Sequence, residues 1–221
     1  MIVSFDCYGT LIDWENGILG ALRPVLENHG IEIEDQKILS LYADVESEIE
    51  RDYKPYSEVL VEVVDRFGKI LGFTPNPEER RALLESIAHW RPFPEVREVL
   101  EEIKKKREIA VISNTDDHII EKSIVNIGVE FDHVITAQMV GAYKPDLKVF
   151  EFAQKAMNAS KDDWIHVAQS VYHDIIPAKR FGFKTVLVLR RGFGATPRAE
   201  GKADYTVEDL NGLLSISPLG L

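Results

Sequence analysis

Two hydrophobic periods divide the chain. Residues 2–5 (IVSF) form a short apolar run that ends in Asp6 and a Gly-Thr turn, the pattern of a buried strand. The next stretch keeps helical spacing instead. Ile18, Leu19, Leu22, Val25 and Leu26 share one face, and Gly30 is placed to end that helix. Ile38, Tyr42, Val45 and Ile49 repeat the period, as do Val59, Leu60, Val63, Val64, Phe67 and Leu71. A fourth helix is predicted through Leu83, Leu84 and Ile87, after which Arg91, Pro92, Phe93 and Pro94 break regular structure.

Beyond that break the pattern alternates. A helix over 96–103 leads to a strand at 109–113 (IAVIS), then a helix through Ile119, Ile120 and Ile124 and a strand at 133–137 (HVITA). A helix over 146–157, a strand at 164–168 (WIHVA), a helix over 174–181 and a strand at 185–189 (TVLVL) follow, and 191–204 reads as a long loop. Apolar strands without alternation, separated by helices, indicate a parallel sheet covered on both faces. The expected architecture is therefore α/β, a Rossmann-like core formed by 1–14 and 91–221. A helical cap domain is expected over 15–90.

Composition narrows the function. Acids outnumber bases 37 to 26, for a formal net charge of −11, which argues against a nucleic-acid binder because such affinity rests on neutralising phosphates. No apolar run approaches the roughly 20 residues that span a bilayer. The single cysteine, Cys7, excludes an internal disulfide and, with no signal-peptide pattern, points to the cytoplasm. Next to Asp6 on a strand, Cys7 should face the other way and pack.

Open parallel sheets bind ligands at the carboxyl ends of their strands. Strand one ends in Asp6, and the strand 109–113 ends in Ser113 and Asn114. Lys144 follows the strand 133–137, and Gln169, Ser170 and Asp174 follow 164–168. A carboxylate, a hydroxyl with an amide, an ammonium and a second carboxylate thus converge on one edge, as a nucleophilic site for small anions requires.

FDCYGTLID (5–13), SNTD (113–116), YKPD (143–146) and HVAQSVYHD (166–174) resemble, in order, the four motifs of the haloacid dehalogenase superfamily. The resemblance implies that Asp6 attacks an electrophilic atom and forms an ester that water cleaves. It implies that Lys144 keeps Asp6 ionised, since a nearby opposite charge lowers a carboxyl pKa. Asp174 would direct the water. Ser113 and the backbone N–H groups near Gly9 and Thr10 would bind substrate or leaving group, and Asn114 would orient them.

Most of that superfamily are phosphatases, and two departures separate this chain from them. Tyr8 stands where a phosphatase has the Asp that protonates the leaving alcohol, and Gln169 replaces one of the paired acids that hold Mg²⁺. No metal or other cofactor is expected. Tyr8 instead matches the L-2-haloacid dehalogenases, which attack carbon and expel halide. Their cap Arg aligns with Leu41-Tyr42-Ala43 and is absent, and their Tyr six residues after the motif-three Lys is Phe150 here. Their Ser-Ser-Asn becomes Gln169-Ser170-Val171. FDCYGTLIDWE (5–15), VEFDHVITAQ (129–138), VGAYKP (140–145) and SVYHDIIPA (170–178) more closely resemble azetidine-2-carboxylate hydrolase, which opens a strained nitrogen ring by the same attack.

Together these readings imply a hydrolase acting on a small 2-substituted carboxylate, with a halide or a ring nitrogen leaving. An Mg²⁺-dependent phosphatase and a non-catalytic binder are the alternatives. Tyr8 and Trp14 are expected to wall the pocket and Gln169 to reach it. Trp90 and Phe93 should pack the cap on the core, whereas Arg51, Tyr53 and Lys54 read as solvated. Of the histidines only His173 belongs near the pocket; His118, His133 and His166 read as structural. Relatives of this type often dimerise through the cap, and the apolar cap helices permit a homodimer.

Overall fold

The structure, a computed structural model, describes residues 1–190 and 194–216. Its centre is a six-stranded sheet in the order β3-β2-β1-β4-β5-β6, with every pairing parallel. The strands are β1 (Ile2–Phe5), β2 (Glu108–Ser113), β3 (His133–Thr136), β4 (Trp164–Ala168), β5 (Lys184–Val188) and β6 (Tyr205–Val207). β1 and β4 are wholly buried, which explains their unbroken apolar sequence. The chain order reverses between β1 and β4, the switch point where open sheets leave a crevice.

Four helices lie between β1 and β2 before the last one, α5 (Val96–Lys104): α1 (Trp14–Asn28), α2 (Asp35–Ile49), α3 (Tyr56–Leu71) and α4 (Ala82–Ser86). The fourth predicted helix is broken, with single 3-10 turns at Glu79–Arg81 and Ile87–His89 flanking α4. α1 packs on α2 and α4, and α3 packs on the same two. Ile12 and Pro92 pair antiparallel where the chain leaves and returns. At that neck Trp90 meets Tyr8 edge-on at 6.0 Å, and a Cβ at Gly17 would strike the Trp90 ring at 2.4 Å. Close approach of helix to indole therefore demands glycine at 17.

The remaining helices are α6 (Asp117–Ile127), α7 (Ala137–Val140), α8 (Leu147–Met157) and α9 (Ile176–Phe181). The predicted 133–137 strand stops at Thr136, whose side chain accepts from Met139 N and caps α7. The predicted 174–181 helix is preceded by a π-helical turn, Val171–Ile175, capped by the Ser170 side chain. Within the expected loop at 191–204, residues 191–193 lie outside the described residues. Phe93 packs under Arg190, whose guanidinium carbon lies 3.8 Å from the ring centre. Among the described residues no helix is long and apolar enough to cross a membrane.

Candidate active site

β1 carries Asp6 to its carboxyl end, and the turn after it is built to hold that carboxylate. Thr10 Oγ1 donates to Asp6 Oδ2 at 2.7 Å and accepts from Gln169 N at 2.9 Å, tying the ends of β1 and β4 together. Gly9 sits at φ +89°, a left-handed conformation in which a Cβ would also lie 2.8 Å from the Trp14 indole nitrogen. Arg190, missed in the sequence, fixes the same turn by donating Nε and Nη2 to Thr10 O. The Gly9 and Thr10 N–H groups expected to bind ligand are already used: they donate to Ile12 O and Cys7 O. That expectation is corrected. Cys7 packs in the core as expected, although β1 ends at Phe5 and the residue lies beyond the strand.

Lys144 is the centre of the cluster. Only 1% exposed, its Nζ donates to Asp6 Oδ1 at 2.8 Å, to Asp174 Oδ1 at 2.7 Å and to Ile112 O at 2.8 Å. Asn114 clamps its backbone, accepting from Lys144 N at 2.7 Å and donating to Lys144 O at 3.0 Å. Through this pair of hydrogen bonds Asn114 positions the lysine. Asp174 is held from behind: His166 Nε2 lies 2.9 Å from Oδ1, and His166 Nδ1 is 2.7 Å from Ser4 Oγ, which also accepts from Trp164 Nε1. His166 is structural, as expected, but its task is to orient a site carboxylate. Phe150 lies edge-on to the same imidazole at 5.3 Å.

The electrostatics follow from burial working against pairing. Burial pushes the Asp6 carboxyl up; Lys144 pulls it back, Asp174 pushes it up again, and the balance is upward. Asp174 meets the same burial, but Lys144 and His166 overcome it and hold the carboxyl down at about 2. Lys144 stays charged, because the two carboxylates outweigh the burial that opposes its charge. His173 is buried and driven down to about 4, so it is neutral near pH 7.

These groups enclose a cavity of ≈ 30 Å³, room for a water or two. Of the residues singled out in the sequence, Asp6, Tyr8, Trp14, Ser113, Asn114, Lys144, Ser170, His173 and Asp174 line it, while Gly9, Thr10 and Gln169 do not. Gln169 instead meets Thr196, at 3.3 Å from its Oε1. Tyr8 is a wall, its hydroxyl 2.7 Å from Ser123 Oγ. Ser113 Oγ and Asp174 Oδ2 are buried with no hydrogen-bond partner among the described residues. Lys54 pairs with Glu62 at 2.7 Å.

Sequence reasoning missed the part of the wall contributed by the inserted helices: Glu46 and Glu50 on α2 and at its end, and Tyr56 at the start of α3. The Tyr42 and Tyr56 hydroxyls both donate to Glu46 Oε1, at 2.7 and 2.6 Å. The available signal was the period itself, because Glu46 stands four residues after Tyr42 on the apolar face. Burial lifts Glu46 to about 7 despite those hydroxyls. A carboxyl raised from 4.5 in the unfolded chain to about 7 in the fold destabilises the folded state where it ionises. Stability should therefore fall as pH rises from about 4.5 to about 7, by up to about 3 kcal/mol from this group. Urea unfolding of wild type and Glu46→Gln across pH 5–8 checks it, because the variant should lose that slope.

Among the described residues no group of three or more His, Cys, Asp or Glu side chains is placed to hold a metal ion. Asp6 and Asp174 already share an ammonium 2.8 and 2.7 Å away. Gln169 is not among the residues lining the cavity, its Oε1 lying 3.3 Å from Thr196 Oγ1, and it adds no ligand to that pair.

The fold and this strand-end cluster define a hydrolase of the haloacid dehalogenase type. The haloacid dehalogenase-like hydrolase family model matches residues 3–188, and the chain belongs to that family. It is 27% identical to an (S)-2-haloacid dehalogenase of Pseudomonas sp. (strain YL) over 97% of this chain and 93% of that one. A glyceraldehyde 3-phosphate phosphatase of Methanocaldococcus jannaschii is 32% identical over 59% of this chain and 58% of its own length. The structure of the L-2-haloacid dehalogenase from Xanthobacter autotrophicus superposes with a TM-score of 0.83 at 19% identity, covering 98% of both chains.

Proposed function

We propose that this protein is a metal-independent hydrolase that displaces a leaving group from an sp³ carbon of a small 2-substituted carboxylate through an ester with Asp6. The observation that carries this reading is the Lys144 ammonium lodged between Asp6 and Asp174. It compensates a nucleophile that burial would otherwise neutralise. Tyr8 supports the same reading, since its phenol, pushed far up by burial, is a poor acid for an alkoxide leaving group. Asp6 attacks carbon, the leaving group departs with the bonding pair, and water then attacks the ester carbonyl. Asp174, ionised and with Oδ2 free, holds that water. Ser113 Oγ is available to the substrate carboxylate or the leaving group. Helices α1–α4 act as a cap, and the tight cavity means they part to admit substrate.

A single turnover in ¹⁸O-water, with 2-chloropropionate or azetidine-2-carboxylate in deficit, should leave label in the peptide containing Asp6. Label found only in product argues for direct water attack. Phosphate release from a generic phosphomonoester that EDTA abolishes would favour the phosphatase alternative.

A further inference from the structure

The motifs SNTD (113–116) and YKPD (143–146) each supply a side chain that the reaction proposed above leaves without a task, Asp116 and Tyr143. Both are buried, at 3% and 6% exposure, and both reach from the core to the turn between α2 and α3. Asp116 accepts from Tyr56 N at 2.8 Å and from Ser57 N at 2.9 Å, one carboxylate oxygen to each. These are the first two amides of α3, which a helix leaves unpaired, and Pro55 at the N-cap has no side-chain group to take them. The Tyr143 hydroxyl donates to Lys54 O at 2.7 Å, and its ring lies 5.4 Å from that of Tyr53 and 6.4 Å from that of Tyr56. The turn itself buries little, since Arg51, Asp52, Tyr53 and Pro55 are exposed. Segments with few buried contacts open at low cost. What this turn carries is cavity wall: Tyr56 lines the cavity and donates to Glu46, which lines it too. On the core side, Asp116 stands two residues after Asn114 and Tyr143 directly before Lys144, the two residues that Asn114's hydrogen bonds join.

We propose that Asp116 and Tyr143 form one latch: they are positioning residues that hold the α2–α3 turn down on the core, close the cavity wall at Tyr56 and Glu46, and release together when α1–α4 part to admit substrate. This rests on the cap role given to those helices above, and not on the ester or the leaving group. Closed, the latch satisfies a buried carboxylate, a buried hydroxyl and two helix amides. Open, all of them meet water, so parting strands no polar group and its cost is modest. Both contacts hold the same short turn, so losing one loosens the other.

Amide exchange followed by NMR tests this without any substrate. Tyr143→Phe deletes only the hydroxyl, which bonds neither of the two α3 amides. It should nonetheless speed exchange at Tyr56 and Ser57 by about threefold to tenfold, the scale of one hydrogen bond, while the amides of β1 and β4 keep wild-type rates. Asp116→Asn, which keeps one accepting oxygen, should speed them less than Asp116→Ala. In the double variant, Asp116→Ala with Tyr143→Phe, the cavity itself should open. Acrylamide quenching of Trp14, 7% exposed on the cavity wall, should then rise by about twofold or more, and the rise should vanish when Trp14→Phe is added. Urea unfolding establishes that each variant is folded, and if Asp116→Ala does not fold, Tyr143→Phe carries both readouts. Unchanged exchange at Tyr56 and Ser57 in Tyr143→Phe would mean that two independent contacts hold the turn. Unchanged Trp14 quenching would mean that the turn frays while the cavity stays shut. Either result overturns the latch. Because neither measurement involves turnover, an intact latch alongside absent Asp6 label removes the ester mechanism alone.

Discussion

Lys144→Met is expected to lower kcat/KM by about 10³-fold or more and to destabilise the fold by about 3–5 kcal/mol. The lysine is 1% exposed and sits 2.8 and 2.7 Å from two carboxylates that have no second lysine or arginine at that distance among the described residues. Without it, Asp6 and Asp174 repel each other in a dry site, and at least one must take up a proton. A protonated Asp6 has no nucleophilic anion. The stability deficit also carries a signature in pH. Wild-type Asp174, held at about 2 against 3.8 in the free state, contributes stability that is present above about pH 4 and lost on acidification through 2. In the variant the carboxyls are raised, so their penalty appears as pH rises through the raised values. The deficit relative to wild type should therefore narrow on acidification from pH 7 to 5. Asp174→Asn introduced into Lys144→Met should restore much of the stability and none of the activity. Urea unfolding of the three proteins against pH tests this, and a small pH-independent deficit would mean that the triad contributes little.

The residues of that triad were legible because each stands at the end of an element whose period is plain. Asp6 closes an apolar run, Asp174 follows one, and Lys144 precedes a proline and a helix. A parallel sheet brings its strand ends to one edge without further information, so the order of motifs along the chain suffices. What escaped was set by contacts between distant segments. Arg190 reaches Thr10 across 180 residues, and nothing local distinguishes it from its neighbour Arg191. β6 (Tyr205–Val207) is three residues long and pairs only with β5, too short for alternation to register. Glu46 lies on a face read correctly as buried, but an acid there carried no meaning until Tyr42 and Tyr56 were seen to converge on it. The N–H groups of Gly9 and Thr10 failed as ligand donors for a local reason. A turn tight enough to aim Asp6 consumes its own amides, donating them to Ile12 O and Cys7 O.

Asp174→Asn should separate the two halves of the proposed reaction. Asp174 Oδ1 is occupied by Lys144 and His166, whereas Oδ2 is buried beside the cavity without a partner among the described residues. Removing its charge leaves the Lys144–Asp6 contact in place and also removes one of the influences that raise the Asp6 carboxyl. Attack on carbon should therefore persist, while the water that must reach the ester carbonyl loses the group that orients it. The expected kinetics are a burst of about one leaving group per enzyme, followed by turnover about 10²–10⁴-fold slower than wild type. Mass spectrometry of the variant during the slow phase should find the substrate residue on the Asp6 peptide. Asp6→Asn should give neither burst nor adduct. If Asp174→Asn is slowed just as much but accumulates no adduct, Asp174 works only by holding Lys144. In that case the free Oδ2 has no part in the hydrolytic step.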